Sequence, residues 1–190
     1  MSNMFCGMDL SLTRPAICFY STNTKLKENV ISSSYESKSK GMERNQEYFK
    51  KIIDEIRLYK PVLVCLEGYS FQSKGANVHG IYEFTGILKY KLFLMKIPFI
   101  SVAPSSLKKF VTSNGHAEKD MMLLSTYKQF GYEFKNNDEC DAFGLSYFAA
   151  CYYAAKNNIE YPNKIKKLQM EIVQKFIERE NENGRLKKRK

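Results

Sequence analysis

The sequence predicts an α/β domain with one mixed β-sheet flanked by helices, antiparallel in its first three strands and parallel after them. Two β-prone apolar runs near the N-terminus, separated by a polar turn, predict a hairpin, and a weakly alternating segment extends it. Helical periodicity then alternates with short continuous apolar runs, which are typical of parallel strands buried on both faces. With 190 residues, 44% of them hydrophobic, the chain can form one compact domain with a full core.

The first half of the chain predicts three strands and a surface helix. We expect the strands over residues 3 to 10, 15 to 20 and 29 to 36. From Met42 to Lys60, apolar residues recur at helical spacing opposite charged ones, so this segment is a surface helix that the following proline ends.

The second half predicts the parallel part of the sheet and its covering helices. The run VLVCLEG, which ends shortly after Glu67, reads as a strand buried on both faces. A helix that is apolar almost all round should pack deeply near the end of the domain. The expected elements are a helix over about 79–95, the strand FISVA, a short helix from Pro104, and helices over about 117–130 and 138–157.

The C-terminal region differs from the rest in composition. Residues 161–190 contain ten Lys and Arg against four Asp and Glu, so they carry six of the ten net positive charges. We divide the chain into a main domain, residues 1–158, and a basic C-terminal helix with a flexible tail, residues 159–190. A basic surplus favours a polyanionic partner, although the same charge also occurs in solvated tails.

Several classes of protein are excluded by composition. No apolar run is long enough to cross a bilayer and no signal-peptide pattern opens the chain, so we expect a cytoplasmic protein without a membrane partner. The five cysteines show no CxxC spacing and mostly lie in apolar runs, which indicates reduced core residues. Cys140 stands in polar company but is a weak ligand candidate, and His79 and His116 belong to no histidine cluster.

Four carboxylates are candidates for a shared site. Asp9 ends the first predicted strand and Glu67 ends the central one, and ligands of open α/β sheets bind where parallel strands end. Asp138 and Asp141 stand three residues apart at the start of a helix, so they project from one face. Favourable interaction with the helix dipole explains that last pair equally well, but it does not explain Asp9 or Glu67.

Such a cluster requires cations. Four carboxylates brought together repel one another unless a metal neutralises them, and all-oxygen ligands suit Mg²⁺, with Mn²⁺ as a substitute. Two such ions about 4 Å apart can activate water and stabilise the leaving oxygen of a phosphodiester, with Asp9 as the bridging ligand. Lys108 and Lys119 could contact the phosphate, although lone lysines are mostly surface residues.

Four motifs, in order over residues 4–153, resemble those of the RuvC-type Holliday-junction resolvases, which belong to the RNase H-like nuclease superfamily. They are GMDLSLTRPAI, VCLEGYSF, SVAPSSLKKFVTSNGHAEKDMM and DECDAFGLSYFA. The resemblance implies an RNase H-like fold for residues 1–158. It also implies that Asp9, Glu67, Asp138 and Asp141 bind the metal and that Lys108 and Lys119 approach the scissile phosphate. The basic tail is compatible with a phage member.

The resemblance implies a Mg²⁺-dependent, structure-selective endodeoxyribonuclease, without an organic cofactor, that resolves Holliday junctions by phosphodiester hydrolysis as a homodimer. The helix over 79–95 has more large apolar residues than one packing face needs, which permits a two-fold interface. A polar and aromatic loop after Glu67 can contact unpaired bases and phosphates, or can simply cover the core. Its candidate DNA contacts are Tyr69, Phe71, Lys74 and Asn77, and either Tyr69 or Phe71 could be the base-stacking residue.

Two other functions stay open. An actin-like or sugar-kinase-type phosphotransferase also begins with a Gly-Asp hairpin, but its two lobes do not fit this length. A non-catalytic DNA-binding module would use the basic tail, with the carboxylates as caps and surface residues. Hydrolysis of ATP would favour the former. Equal behaviour in Ca²⁺, Mg²⁺ and Mn²⁺ would favour the latter.

Overall fold

A computed structural model of the chain describes residues 3–23, 29–68 and 77–187. In chain order its strands are Met4–Asp9 (β1), Ala16–Ser21 (β2), Val30–Ser34 (β3), Leu63–Glu67 (β4) and Phe99–Val102 (β5), and their order across the sheet is β3-β2-β1-β4-β5. The sheet is mixed, with β2 antiparallel to β1 and β3, and with β4 parallel to β1 and β5. This arrangement confirms the predicted fold class.

The helices lie close to their predicted positions. Lys60 ends the first helix in the left-handed conformation, and Pro61 prevents its continuation. The helices are Gly41–Tyr59 (α1), Asn77–Leu94 (α2), Pro104–Thr112 (α3), Lys119–Phe130 (α4), Asn137–Asn157 (α5) and Lys167–Lys187 (α6). None of the described helices combines the length and the hydrophobicity of a membrane-spanning segment.

The two faces of the sheet form two separate cores. Phe5 in β1 packs in the cluster that includes α5, whereas Cys6 and Met8 pack in the cluster that includes α1 and α2. Side chains alternate between faces along a strand, so Asp9 falls on the same face as Phe5. The same alternation in β4 places Glu67 on the α5 face.

Gly7 determines how closely α5 approaches the sheet. A Cβ at this position would lie 2.0 Å from the carbonyl oxygen of Ala142 and 2.3 Å from the backbone nitrogen of Ser146. Because real side chains never approach so closely, only glycine allows α5 to cross β1 here. This close crossing places the beginning of α5 beside the end of β1, where Asp9 lies.

The C-terminal helix is packed into the main core. Val173 is fully buried, and Phe176 makes edge-on ring contacts with Phe148 and Tyr152, with centroids 5.4 and 5.8 Å apart. The helix reaches Lys187, so it includes the first part of the segment expected to form a flexible tail. The domain boundary after residue 158 stays a prediction.

The cysteines occupy the positions expected of core residues. All five are buried as free thiols. Cys140, the single candidate in polar company, lies against Thr126, with its Sγ 3.3 Å from Thr126 Oγ1. The structure therefore places this thiol between α4 and α5 as a packing residue.

Candidate functional site

Asp9 and Glu67 lie side by side at the carboxyl edge of the sheet. In the parallel pairing of β1 and β4, Met8 is opposite Leu66, so the next residues along the two strands are these two carboxylates. Gly68 continues the sheet for one more hydrogen bond, donating from its backbone nitrogen to Val102 O at 2.7 Å. The strand pairing thus juxtaposes two of the four residues singled out in the sequence.

The first two turns of α5 bring Asp138 and Asp141 to the same edge. The N-cap of this helix is Asn136, whose side chain accepts a hydrogen bond from the backbone nitrogen of Glu139 at 2.9 Å. Neither aspartate is therefore needed as a cap, although Asp138 lies in the first turn, where the helix dipole favours negative charge. Capping does not account for Asp141.

Electrostatic coupling joins these carboxylates into one cluster. Burial raises the pKa of Asp9 well above its ordinary value, and the charges of Glu67, Asp141 and Asp138 raise it further. Burial and the charge of Asp141 raise the pKa of Glu67 to about 7. Burial, with a contribution from Asp138, raises the pKa of Asp141 to about 6. Burial is therefore the main reason why Asp9, Glu67 and Asp141 resist ionisation, and the neighbouring negative charges add to it.

Two lysines lie within electrostatic reach of the cluster. Lys108 in α3 is partly buried, and Lys119 at the start of α4 is exposed. The positive charges of both lysines lower the pKa values of Glu67 and Asp141, in opposition to burial. The structure therefore brings to one edge of the sheet both of the lysines that the resemblance implied.

The donor set fits a hard divalent cation. Among the described residues, Asp141 Oδ1 is buried and has no hydrogen-bond partner, which is costly unless a cation meets it. The available donors are carboxylate oxygens, which Mg²⁺ and Mn²⁺ prefer. Within residues 3–23, 29–68 and 77–187, however, no three His, Cys, Asp or Glu side chains are already gathered around a common point.

Asp138 has a cationic partner that the sequence did not indicate. Arg14, in the loop between β1 and β2, donates from Nε to Asp138 Oδ2 at 2.7 Å. Its Nη1 also lies 4.0 Å from Glu36 Oε1. The available signal was a basic residue in the loop directly after Asp9, but its partner is 124 residues away in the sequence.

A buried carboxylate, Glu139, fixes the start of α5 to the sheet. Its two oxygens accept hydrogen bonds from Ser32 Oγ at 2.9 Å and Ser34 Oγ at 2.8 Å. Asn136 Nδ2 donates to the same side chain at 3.4 Å. This network ties α5 to β3 and so holds the adjacent Asp138 in place. In the sequence, the serines of β3 indicate a polar strand, but they do not identify Glu139 as their partner.

Most of the candidate DNA contacts lie outside the described part of the chain. Tyr69, Phe71 and Lys74 belong to residues 69–76, which the structure does not describe, and Asn77 begins α2 with its side chain likewise outside the description. Their role in binding DNA stays a prediction.

Comparison with known proteins identifies similar nucleases. No family model matches the chain. It is 26% identical over 106 residues to the crossover junction endodeoxyribonuclease RuvC of Synechococcus sp. (strain WH7803), a match that covers 55% of this chain and 68% of the relative. It is 28% identical over 123 residues to the RuvC of Brachyspira hyodysenteriae (strain ATCC 49526 / WA1), over 61% of this chain and 74% of the relative.

The fold is that of a solved RuvC structure. Thermus thermophilus RuvC in complex with a Holliday junction substrate superposes with a TM-score of 0.67 at 16% identity, over 82% of this chain and 96% of that one. Together with the curated relatives, this likeness confirms the resemblance predicted from the four motifs and the fold class that it implied.

Proposed function

We propose that this chain is a metal-dependent, structure-selective endonuclease that cleaves branched DNA and resolves Holliday junctions by phosphodiester hydrolysis. The observation that carries the proposal is the position of Asp9 and Glu67 side by side where β1 and β4 end, with the charges of Asp141, Lys108 and Lys119 acting on them. The names of the relatives, and the junction bound to the similar Thermus structure, support the type of reaction and the branched substrate.

The carboxylates hold the metal in this proposal. Asp9, Glu67, Asp138 and Asp141 would bind Mg²⁺, or Mn²⁺ in its place, as a two-ion site. The bound ions supply an activated water and charge compensation at the phosphodiester. Asp9 lies within electrostatic reach of all three other carboxylates, which supports its place in the same ligand set. The ions would relieve the repulsion that raises the pKa values of these groups.

In this proposal the two lysines offset the negative charge of the DNA phosphates. Lys108 and Lys119 bring positive charge to the same edge of the sheet and can stabilise the negative charge that develops on the scissile phosphate. We assign both lysines to contact with DNA as well as to the reaction, since Lys119 is exposed and Lys108 is only partly buried.

Substitution of Asp9 tests this function. Asp9→Asn should abolish cleavage of a four-way junction in Mg²⁺ or Mn²⁺ but keep junction binding in Ca²⁺, because the amide removes a ligand charge and leaves the DNA surface intact. Cleavage of four-way, flap, fork and linear DNA should be compared in each metal. Asp54→Asn, at an exposed position of α1, is the matched control and should cut as the unsubstituted protein does.

Three results would contradict the proposal. Undiminished cutting by pure Asp9→Asn protein would show that cleavage does not require the proposed carboxylate site. Junction binding without cutting in any of the three metals would make the chain a non-catalytic binding module. Consumption of ATP would point to a phosphotransferase.

The exposed face of α2 supports a homodimer. Phe84, Leu88 and Leu92 are buried on one side of this helix. The other side exposes a cluster of large apolar residues, which marks an interaction surface in a protein of this size. Two copies of such a face would suit an enzyme that cuts two strands of a symmetric junction. The exposed residues are Ile87, Tyr90, Phe93 and Leu94.

Sedimentation or light scattering tests this interface. Phe93→Glu should convert a dimer into a monomer, because it places a charge in the apolar contact. Leu58→Glu is a matched control on α1, since Leu58 is 69% exposed and Phe93 70%. A monomeric unsubstituted protein at tens of micromolar, or a dimer that survives Phe93→Glu, would contradict the assignment. We further propose that the enzyme works in the cytoplasm.

A further inference from the structure

The loop between β1 and β2 brings a permanent cation to one of the four carboxylates. Arg14 Nε lies 2.7 Å from Asp138 Oδ2, which is a short, charge-assisted hydrogen bond. Glu36 is a weaker second neighbour, at 4.0 Å from Nη1. An arginine does not lose its proton in a protein, so Arg14 is a permanent positive charge beside Asp138.

The backbone on each side of Arg14 is anchored. Tyr48, buried in α1, donates from its hydroxyl to Thr13 O at 2.8 Å. The backbone nitrogen of Tyr35 donates to Pro15 O at 3.0 Å. Arg14 itself donates from its backbone nitrogen to Ser11 Oγ at 2.8 Å. These bonds hold the loop, whereas the side chain of Arg14 is 40% exposed and can leave Asp138 without a change in the backbone.

Arg14 and a metal ion compete for the same carboxylate. The Oδ2 atom of Asp138 already accepts a hydrogen bond from the guanidinium. A divalent ion that took Oδ2 would displace that bond, and one that took the other oxygen would weaken it by drawing charge from the carboxylate. In either position the ion would also approach a positive charge. Arg14 therefore opposes metal uptake for as long as it stays on Asp138.

We propose, on the basis of the proposed function, that Arg14 is a built-in counter-ion of Asp138 that competes with the metal and is transferred to a DNA phosphate when substrate binds. The displaced side chain stays at the surface beside the carboxylates, where a phosphate can replace Asp138 as its partner. Metal and DNA then favour each other, because each helps to separate Arg14 from Asp138. By linkage, this coupling must appear equally in the metal affinity and in the DNA affinity.

Removal of the guanidinium tests the competition. Arg14→Gln should bind Mn²⁺ in the absence of DNA on the order of fivefold more tightly than the unsubstituted protein, as measured from the free Mn²⁺ signal in electron paramagnetic resonance. Glu36→Gln is the control, since it keeps the Arg14 to Asp138 contact, and its Mn²⁺ affinity should change less than twofold. Equal or weaker Mn²⁺ binding by Arg14→Gln would overturn the proposal, because Arg14 would then only hold Asp138 in place.

A second measurement tests the transfer to DNA. Fluorescence anisotropy gives the affinity for a four-way junction with and without saturating Ca²⁺. The gain in affinity caused by Ca²⁺ should be smaller in Arg14→Gln than in the unsubstituted protein, and an unchanged gain would overturn the transfer step.

The unsubstituted protein gives an independent test if Arg14→Gln does not fold. The Nε–H signal of Arg14 in ¹⁵N NMR, assigned by its loss in Arg14→Lys, should shift when Mg²⁺ is added. An unmoved signal in metal-loaded protein would contradict displacement. If the unsubstituted protein binds no Mn²⁺ even with a junction, the proposed function itself fails. If it binds Mn²⁺ and Arg14→Gln gains nothing, the role of Arg14 alone fails.

Discussion

For individual carboxylates at the edge of the sheet, burial makes the ionised form unfavourable. The pKa of Asp141 rises from an ordinary value near 3.8 to about 6, mainly through burial. Between pH 3.8 and about pH 6, Asp141 keeps its proton in the folded chain but has lost it in the unfolded chain. The contribution of this group to stability is therefore greatest at low pH and declines as the pH rises through about 6.

The raised pKa of Asp141 predicts how the stability of the protein depends on pH. Asparagine mimics the protonated acid, so Asp141→Asn and the unsubstituted protein should have similar Tm values at pH 4. In metal-free buffer at pH 7.5 the Tm of the variant should be several degrees higher, since each kcal/mol of added stability raises Tm by about 2–4 °C. Mg²⁺ should raise the Tm of the unsubstituted protein more than that of the variant. Asp54→Asn should show no such pH dependence, and a metal-free Tm difference that does not grow with pH would contradict the expectation.

Gly7 is the residue on which the approach of α5 depends. Gly7→Ala should destabilise the fold by about 1–3 kcal/mol or more, because the new Cβ meets backbone atoms that cannot yield without a shift of α5. Gly80→Ala is the control, since its Cβ would meet just the flexible end of Leu12, at 3.0 Å, and alanine favours the helix. Urea denaturation measures both variants, and equal stabilities would contradict this role of Gly7.

Some site residues could be predicted from the sequence and others could not, because their contacts are long-range. Asp9 and Glu67 stand out because a carboxylate at the end of an apolar strand is costly wherever it lies. Arg14 and Glu139 are ordinary residues in a loop and a helix, and their partners lie more than 100 residues away. Contacts between such distant positions depend on how α5 crosses the sheet, which local patterns do not specify.

At the scale of elements, α6 is joined to the two helices that carry the lysines. Gln169 is buried in α6 and donates to Phe110 O in α3 at 3.0 Å. Its Oε1 accepts from Gln129 Nε2 in α4 at 2.8 Å. Because α3 contains Lys108 and α4 begins at Lys119, this side chain links the elements that position both lysines.

Substitution of Gln169 tests this link. Gln169→Leu should cost about 1–3 kcal/mol in the free energy of unfolding, because it leaves buried polar partners unpaired. Gln174→Leu, at an exposed position of the same helix, should change stability by less than about 0.5 kcal/mol. Urea denaturation distinguishes the two. Equal stabilities would support an appended helix that starts after residue 158, as the composition of the sequence suggests.

The position of α6 shows that the composition of a segment does not by itself predict its burial. Its helical pattern is visible in the sequence, but a segment rich in Lys, Glu and Asn predicts little burial. In the structure its few apolar residues, Val173 and Phe176 among them, cover a surface formed jointly by other helices. A pattern within one segment cannot show which surfaces elsewhere in the chain need cover.

At the scale of the whole molecule, the mixed sheet could be predicted because each strand carries its own period and its own turn signals. The antiparallel hairpin and the buried parallel strands place Asp9 and Glu67 at one edge, and the crossing of α5 at Gly7 brings Asp138 and Asp141 to the same edge. The shape of the site is thus a consequence of topology, whereas the chemistry that we propose for it requires the uptake of a cation.

Mn²⁺ uptake by the junction complex tests the shared carboxylate site most directly. Electron paramagnetic resonance of titrated Mn²⁺ should show tight binding to the unsubstituted protein with four-way DNA. Asp9→Asn, Glu67→Gln, Asp138→Asn and Asp141→Asn should each weaken it by at least the roughly tenfold that loss of an outer partner costs a metal site. Full Mn²⁺ uptake by Asp9→Asn, in a complex that still binds the junction, would contradict the existence of a common metal site.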